Sequence, residues 1–259
     1  MLNNDCLFVI FSFLDAHSLM KCLTLSKAIN QLGKSDFLWQ PHLKHHWIPS
    51  QKNNYHHYKK SVLLEQFIDS FIDFNQIQTL QLSHQHIKTL PPELSLLKTL
   101  RTIDLSHNQI VTLPAEWHEI PLQGINLSFN QITVLPPEWH DIPLQWIDLS
   151  CNHITTLPVE WGQMPLKWID LSHNNITTLP AEWHMPLKTI LLSDNQITTL
   201  PVQWHLMPLQ KIDLSYNDIT TLPVEWHQMP LQWISLYGNN ITRLSPQWNG
   251  IVKYEVTNH

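Results

Sequence analysis

Glycine, cysteine and charged residues are scarce in this 259-residue sequence. Its 5 glycines stand against 18 prolines and 12 tryptophans, a skew that suggests one template copied many times. The three cysteines, Cys6, Cys22 and Cys151, are odd in number and widely spaced, which excludes a disulfide framework and a Cys-x-x-Cys metal clamp. We therefore expect a reducing, cytosolic setting.

Long hydrophobic runs are also missing. No apolar run reaches the roughly 18–20 residues that a membrane span needs. The first residues, MLNNDCLFVIFSFLDAHS, include an apolar stretch, but no basic region precedes it and acidic residues interrupt it. The sequence therefore predicts neither a signal peptide nor a membrane span.

Basic residues are few in the second part of the chain. Residues 77–259 hold 15 of the 21 acidic residues but only 8 of the 15 lysines and arginines. Because nucleic-acid binding depends on clustered Lys and Arg, we do not expect this part to bind nucleic acid. A protein partner with basic residues suits its charge better.

A repeated unit of the form LxxIxLSxNxIxxLPxEWxxxP fills the sequence from residue 77 onward. An earlier copy begins at Ile77 with Gln85 in the asparagine place, which brings the number of units to eight. The asparagines are 22, 22, 22, 21, 22 and 22 residues apart, at Asn108, Asn130, Asn152, Asn174, Asn195, Asn217 and Asn239.

Strings such as IDLSHNQI, IDLSCNHI and IDLSHNNI resemble leucine-rich repeats. The resemblance implies an α/β fold, a leucine-rich-repeat solenoid with a parallel β-sheet on its concave side. On this interpretation the repeats occupy residues 77–244, and residues 245–259 form a carboxy-terminal cap.

Each position of the unit has a physical explanation. Apolar residues at a period of two, as in Ile147 and Leu149, point into the solenoid from a short strand. Eight stacked strands at about 4.8 Å make a sheet about 35–40 Å long. The asparagine after each strand turns inward, where its amide bonds backbone groups that the turn leaves unpaired. The proline that follows cannot donate to a ladder and directs the chain to the outer side.

Seven tryptophans recur in step with the asparagines, and two interpretations are open for them. They form either a ligand-binding aromatic row or, as we favour, a convex-side core in which large rings fill a wide coil. Five histidines follow them directly and are interpreted as surface residues rather than a metal row, because stacked coils hold them too far apart for one ion. The tryptophans are Trp117, Trp139, Trp161, Trp183, Trp204, Trp226 and Trp248, and the histidines are His118, His140, His184, His205 and His227.

Outward strand positions differ between copies and form an acidic and aromatic concave surface. Exposed Trp and Tyr are the usual anchors of interfaces, so we interpret this surface as a target-binding face. Aspartate that merely solubilises the sheet is the alternative, but it does not explain Trp146 beside Trp168, which we expect to stack. The predicted target-binding residues are Asp104, Phe129, Trp146, Asp148, Trp168, Asp170, Lys211, Asp213, Tyr216, Trp233 and Tyr237.

The first 76 residues lack the repeat, and their pattern is helical. Apolar residues recur at three- and four-residue spacing from Cys6 to Leu14, a second helix includes Leu19 and Leu23, and a third begins near Ser35. Residues 1–47 are therefore predicted to be a small all-α unit of three helices.

The stretch LNNDCLFVIFSFLDAHSLMKC, followed by SDFLW, resembles an F-box. In that family the module docks a substrate receptor onto the Skp adaptor of cullin-RING ubiquitin ligases. Asn3 stands where the family has a proline, and Ile29 stands where it has a tryptophan. The resemblance implies that the adaptor is contacted by Leu2, Leu7, Ile10, Phe11 and Leu14.

Residues 48–76 connect the two parts. IPSQKNNYHHYKK at 48–60 is polar and is interpreted as a linker, and the amphipathic stripe from Leu64 to Ile72 is predicted to cap the solenoid. The histidines between His42 and His57 lack cysteine and fixed spacing, so we predict no zinc site.

Together these features predict a non-catalytic adaptor with no cofactor or metal, monomeric on its own. The F-box would recruit a Skp-family adaptor, and the concave face would hold a target protein with a basic and apolar patch. The alternatives are a scaffold whose helical part is only a cap, and a ligase with a separate catalytic cysteine domain, for which only residues 245–259 remain. Near-identical coils suggest a secreted bacterial effector, which would act in the host cytosol.

Overall fold

A repeat of short strands and turns builds the part of the chain that the computed structural model describes, residues 78–90, 92–242, 246–248 and 253–255. The predicted three-helix unit, linker and capping helix lie outside these residues. No helix within the described ranges is long and apolar enough to cross a membrane.

Within the described residues, nine parallel strands form one sheet, and each strand pairs with the next one along the chain. This order is that of a solenoid, so the predicted fold class is confirmed. The ninth strand lies in the segment predicted only as a carboxy-terminal cap. The strands are β1 Thr79–Gln81, β2 Thr102–Asp104, β3 Gly124–Asn126, β4 Trp146–Asp148, β5 Trp168–Asp170, β6 Thr189–Leu191, β7 Lys211–Asp213, β8 Trp233–Ser235 and β9 Lys253–Glu255.

Short 3₁₀ helices lie opposite the sheet in the described coils, except in the coil between β5 and β6. The register of the strands places equivalent residues side by side, as for Ile147 and Ile169. Between the two layers lies one continuous apolar core made of the inward isoleucines and leucines and the tryptophans. The helices are Pro92–Leu96, Ala115–Glu119, Pro137–Asp141, Val159–Gln163, Val202–Leu206, Val224–Gln228 and Pro246–Trp248.

The asparagine of each coil binds backbone groups of two coils at once. The Asn152 Nδ2 donates to the carbonyls of Leu149 and Leu127 at 3.0 Å each, and its Oδ1 accepts from the Ile132 N–H at 2.9 Å. Leu127 and Ile132 belong to the preceding coil. The inward-turned asparagine ladder is therefore confirmed, and it also joins neighbouring coils.

The tryptophans are core residues, as we favoured on the sequence. All seven are at most 1% exposed. The indole N–H of Trp139 donates to the Pro114 carbonyl of the preceding coil at 2.9 Å, and the same bond recurs at Trp161, Trp183, Trp204 and Trp226. These five rings thus fill their coils while their indole N–H groups are satisfied.

The one short unit, of 21 residues between Asn174 and Asn195, changes the convex side locally. A turn at residues 181–182 replaces the 3₁₀ helix. Rings stack in two separate groups, Trp117 to Trp161 and Trp183 to Trp226, with centroids 6.0–6.4 Å apart. Losing one residue shifts the ring but leaves the sheet register intact, because Trp168 still pairs with Thr189.

Gly162 lies in the coil before the short unit, at the position where five other coils have histidine. A Cβ there would lie 2.8 Å from the carbonyl oxygen of Glu182, which is backbone and cannot move aside cheaply. Of the five predicted surface histidines, His118, His140 and His184 are exposed, and the other two are half-buried.

Replacing Asn152 by Ala should lower the free energy of unfolding by about 2–4 kcal/mol, because several buried backbone groups lose their partner. A urea titration followed by circular dichroism measures the change. The control is Asn175→Ala, since that exposed asparagine lies in the same loop region of the next coil and should change stability by less than about 0.5 kcal/mol. Equal effects of the two substitutions would contradict the role given to the ladder.

Candidate functional site

The concave face of the sheet carries eight of the eleven predicted target-binding residues. On β4 and β5 the register sets Trp146 beside Trp168 and Asp148 beside Asp170. Most of these side chains are half-buried, whereas Lys211 is exposed. The structure therefore brings these residues together on one surface; the others on it are Asp104, Asp213 and Trp233.

Each outward aspartate also holds the turn at the end of its strand. The Ser150 N–H donates to the Asp148 Oδ1 at 3.0 Å, and the Ser150 hydroxyl donates to the same oxygen at 2.7 Å. The backbone bond recurs in three further coils, at Asp104, Asp170 and Asp213. One carboxylate oxygen in each of these four coils is thus used by the fold, whereas Oδ2 takes no part in the turn.

In the third coil the side-chain amide of Asn126 accepts the hydrogen bonds that aspartate accepts in other coils. The Asn126 Oδ1 accepts from the Ser128 N–H at 3.0 Å and from its hydroxyl at 2.8 Å. The turn therefore requires an oxygen acceptor but no negative charge. The charges of Asp148, Asp170 and Asp213 exceed what the backbone geometry needs.

Burial raises the pKa of the Asp170 carboxyl, and hydrogen bonds from Ser172 oppose this effect without cancelling it. The neighbouring Asp148 carboxylate raises the pKa further. A negative charge at Asp170 is therefore unfavourable in the free protein. A cation brought to this pair by a partner would relieve the repulsion.

The Trp146 ring lies against the backbone of Gly124 in the preceding coil. A Cβ built on Gly124 would be 2.0 Å from the Trp146 Cε2, so only glycine fits beneath the ring. The expected stack of Trp146 on Trp168 is wrong, since no ring contact joins the two within the described residues. The Trp146 indole instead fills the space above Gly124, in the preceding coil.

At the other end of the face, Lys211 and Trp233 interact. The Lys211 Nζ lies 4.9 Å from the centroid of the Trp233 ring, which is a cation–π distance. This contact holds the lysine over the sheet. The concave face thus offers positive charge at β7 and negative charge at β4 and β5.

The remaining predicted residues lie at the corner after the strands. Phe129 is 50% exposed and stacks on His107 at 4.3 Å, and His107 stacks on His84 at 4.2 Å. Tyr216 is 51% exposed and meets Tyr237 edge-on at 5.1 Å. These side chains form a row at the corner directly after the strands.

The corner positions share an unusual backbone conformation. Seven consecutive coils place a residue other than glycine at a φ of 53–59° before the asparagine, or before Gln85 in the first coil, and Gly238 has 69° in the eighth. A left-handed residue with a side chain costs about 1 kcal/mol. The ring stacks of His84, His107 and Phe129 offset part of that cost.

Within the described ranges, no group of three or more His, Cys, Asp or Glu side chains could hold a metal ion. Cys151 lies near Asp148, Asp170 and Asp194, and burial followed by these charges raises the pKa of its thiol. A thiol held in its neutral form is a poor nucleophile.

Comparison with known proteins identifies both parts of the chain. A leucine-rich-repeat family model matches residues 75–132, 142–197 and 185–241. An F-box domain model matches residues 1–41. This chain is an F-box/leucine-rich-repeat protein.

Relatives of this F-box/leucine-rich-repeat chain include F-box only protein 3 of Bos taurus and of Homo sapiens. Each is 35% identical over 72 residues, which are 28% of this chain. The chain spans about 15% of the length of these curated relatives. Their similarity therefore concerns one part of the chain.

Solved structures resemble the solenoid. An internalin from Listeria monocytogenes is 19% identical, with a TM-score of 0.58 over 69% of this chain and 54% of that one. A plant ice-binding protein is 22% identical, with a TM-score of 0.56 over 70% of this chain and 61% of that one. At these identities the likeness is one of fold.

The sequence analysis did not predict that Gly124 lies under the Trp146 ring or that the corner positions share one backbone conformation. Gly124 interrupts a column that holds tryptophan in the next two coils, and that change was the available signal. In the corner column, Asp194 and Gly238 are residue types that accept a positive φ. They point to the left-handed backbone shared by all its members.

Replacing Asp170 by Asn should raise the melting temperature at neutral pH, because the amide keeps the acceptor for Ser172 and removes an unfavourable charge. The folded pKa is raised, so the cost of ionisation is complete above it and vanishes below the unfolded value of about 3.9. The advantage of the variant should therefore disappear near pH 3.

The matched control is Asp170→Ala, which removes both the charge and the acceptor. It should lower the free energy of unfolding by about 1 kcal/mol at neutral pH. Thermal unfolding of the three proteins across the acid range measures both effects. A loss of stability in the Asn variant at neutral pH would show that the carboxylate is needed for the turn.

Proposed function

We propose that this chain is a non-catalytic substrate receptor of a cullin-RING ubiquitin ligase. Its F-box recruits a Skp-family adaptor, and its concave face holds the target protein. The observation that supports this most directly is the joining of an F-box, at residues 1–41, to a solenoid with a charged and aromatic concave face. The two modules belong to families of protein-interaction adaptors.

The mechanism requires only proximity. Holding a target beside a charged ubiquitin-conjugating enzyme turns a bimolecular encounter into a reaction within one complex. No side chain of the receptor takes part in bond formation. Its contributions are the affinity for the target and the position at which the target's lysines are presented.

Features of the concave face support target binding. Half-buried Trp146, Trp168 and Trp233 are costly to leave in contact with water on a sheet surface. The carboxylate charges are not required by the turns, as Asn126 demonstrates. Aromatic anchors beside charges are the usual composition of a binding hot spot.

The proposed site of action is the eukaryotic cytosol, where a Skp adaptor is available. The near-identity of the coils suits an effector delivered there by an intracellular bacterium. We propose a monomeric receptor with no cofactor.

Direct binding to a purified Skp-family adaptor tests the docking step. Replacing Ile10 and Phe11 together by Ala should abolish capture, because both side chains belong to the apolar face predicted to contact the adaptor. The circular dichroism spectrum and urea midpoint of the repeats should not change. A wild-type chain that captures no adaptor would favour the alternative in which the helical part only caps the solenoid.

The target-binding step is tested by quantitative mass spectrometry of proteins recovered from a eukaryotic lysate with proteasome activity inhibited. Replacing Trp146 and Trp168 by Ala should weaken retention of the true target by at least about 2 kcal/mol in binding free energy. The control replaces the exposed convex His140 and His184 by Ala. A target lost with the histidine pair and kept with the tryptophan pair would place the interface on the convex side.

A further inference from the structure

Opposite charges lie at the two ends of the strands from β4 to β7, with lysines at the amino-terminal ends and aspartates at the carboxy-terminal ends. Lys167 and Lys188 are exposed at the positions just before β5 and β6, and Lys211 begins β7. At the carboxy-terminal ends of the strands, Asp148 and Asp170 end β4 and β5. Lys211 aligns with Trp168 and Thr189 in the register of the sheet, one position further along than Lys167 and Lys188. These three side chains together are called the lysine row, and Asp148 and Asp170 are called the aspartate row.

The lysines of this row have no acidic partner within the described residues. The salt bridges there involve Lys98 with Glu119, His140 with Asp141 and His173 with Asp194. Of the three row lysines, only Lys211 has a ring contact, with Trp233. Unpaired charges of opposite sign at the two ends of the strands specify a partner with the reverse arrangement.

The spacing of the rows fits the width of an α-helix. Three residue steps separate Lys167 from Asp170, and a strand advances about 3.3 Å per residue, so these two positions are about 10 Å apart. On β7 two steps, or about 6.6 Å, separate Lys211 from Asp213. A helix with its side chains is about 10–12 Å wide. A helix laid along the solenoid axis would reach both rows at once.

The repeat along the solenoid axis also favours a helix over an extended peptide. Neighbouring strands are about 4.8 Å apart, and a helix presents one turn every 5.4 Å. An extended peptide returns to the same face only every two residues, or about 6.6 Å, which loses register with the coils sooner. A helix can therefore place a side chain near each coil from β4 to β7.

We propose, on the basis of the proposed receptor function, that this face binds an amphipathic helix of the target. The helix carries an apolar stripe against Trp146 and Trp168, a row of acidic residues beside the lysine row, and a row of basic residues beside the aspartate row. Segregated charges, rather than net charge, determine which helices bind.

The test uses two synthetic peptides of about 18 residues, long enough to be helical when capped. Both have the same composition and the same leucine stripe. One carries all its Glu on one side of the stripe and all its Lys on the other, and its counterpart alternates Glu and Lys within each row. Fluorescence anisotropy with the full chain should give at least about tenfold tighter binding of the segregated peptide.

A matched pair of protein variants locates the site. Replacing Lys167, Lys188 and Lys211 by Gln removes the lysine row and makes the net charge more negative by three. Replacing the exposed convex Gln163, Gln203 and Gln228 by Glu changes the net charge by the same amount. The first variant should bind the segregated peptide at least about tenfold more weakly, and the second should match the wild type.

Three results would overturn the proposal: binding of neither peptide, affinities for the two peptides within about threefold, or equal weakening by the lysine and glutamine variants. Failure of the receptor function is measured separately. A chain that binds the segregated peptide but captures no Skp adaptor keeps the helix-binding face and loses the ubiquitin ligase role. A chain that captures the adaptor but binds the two peptides equally keeps the ubiquitin ligase role and loses the helix-binding face.

Discussion

The buried asparagine amide of each coil is the contact on which the rest of the solenoid depends. Strands of three residues form few ladder bonds, and the turn after each strand leaves backbone groups unpaired in the core. One side chain satisfies groups in its own coil and in the coil before, as Asn152 does with Leu149 and Leu127. Because the same bonds recur from Asn108 to Asn239, the amide fixes both the turn and the distance to the neighbouring coil.

The convex tryptophans also join the coils, through ring stacking and through an indole hydrogen bond to the preceding coil. At the short unit only the hydrogen bond is kept. Stacking of the rings is interrupted between Trp161 and Trp183, but the Trp183 indole still donates to the Pro158 carbonyl at 2.9 Å. A hydrogen bond to a backbone carbonyl tolerates the loss of one residue better than parallel ring contact does. The concave sheet continues unbroken across this unit, so the face that carries the charged rows remains one surface.

The concave face carries charge that the fold does not use. Asn126 performs the turn bond of its coil with an amide, whereas Asp148 and Asp170 perform it with a carboxylate. The raised pKa of Asp170 means that this charge is held at a cost in the free protein. Such a cost is expected where a surface is shaped for a partner rather than for stability.

The sequence by itself determined the architecture. The 22-residue period, the inward isoleucines, the asparagine ladder and the buried tryptophans all follow from residue types repeated along one coil. The placement of Trp146, Asp148, Trp168 and Asp170 on one face follows from the alternation of strand side chains in the same way. Local periodicity is sufficient for these features because each coil has the same residue types at the same positions and therefore folds in the same way.

Only the tertiary structure decided how side chains of different coils meet. Trp146 lies on Gly124 and does not stack on Trp168, because the space it fills is created by a glycine 22 residues earlier in the chain. The left-handed backbone at His107 and Phe129 is likewise stabilised by rings from adjacent coils. Such contacts depend on the distance and rotation between coils, which a one-coil pattern does not encode.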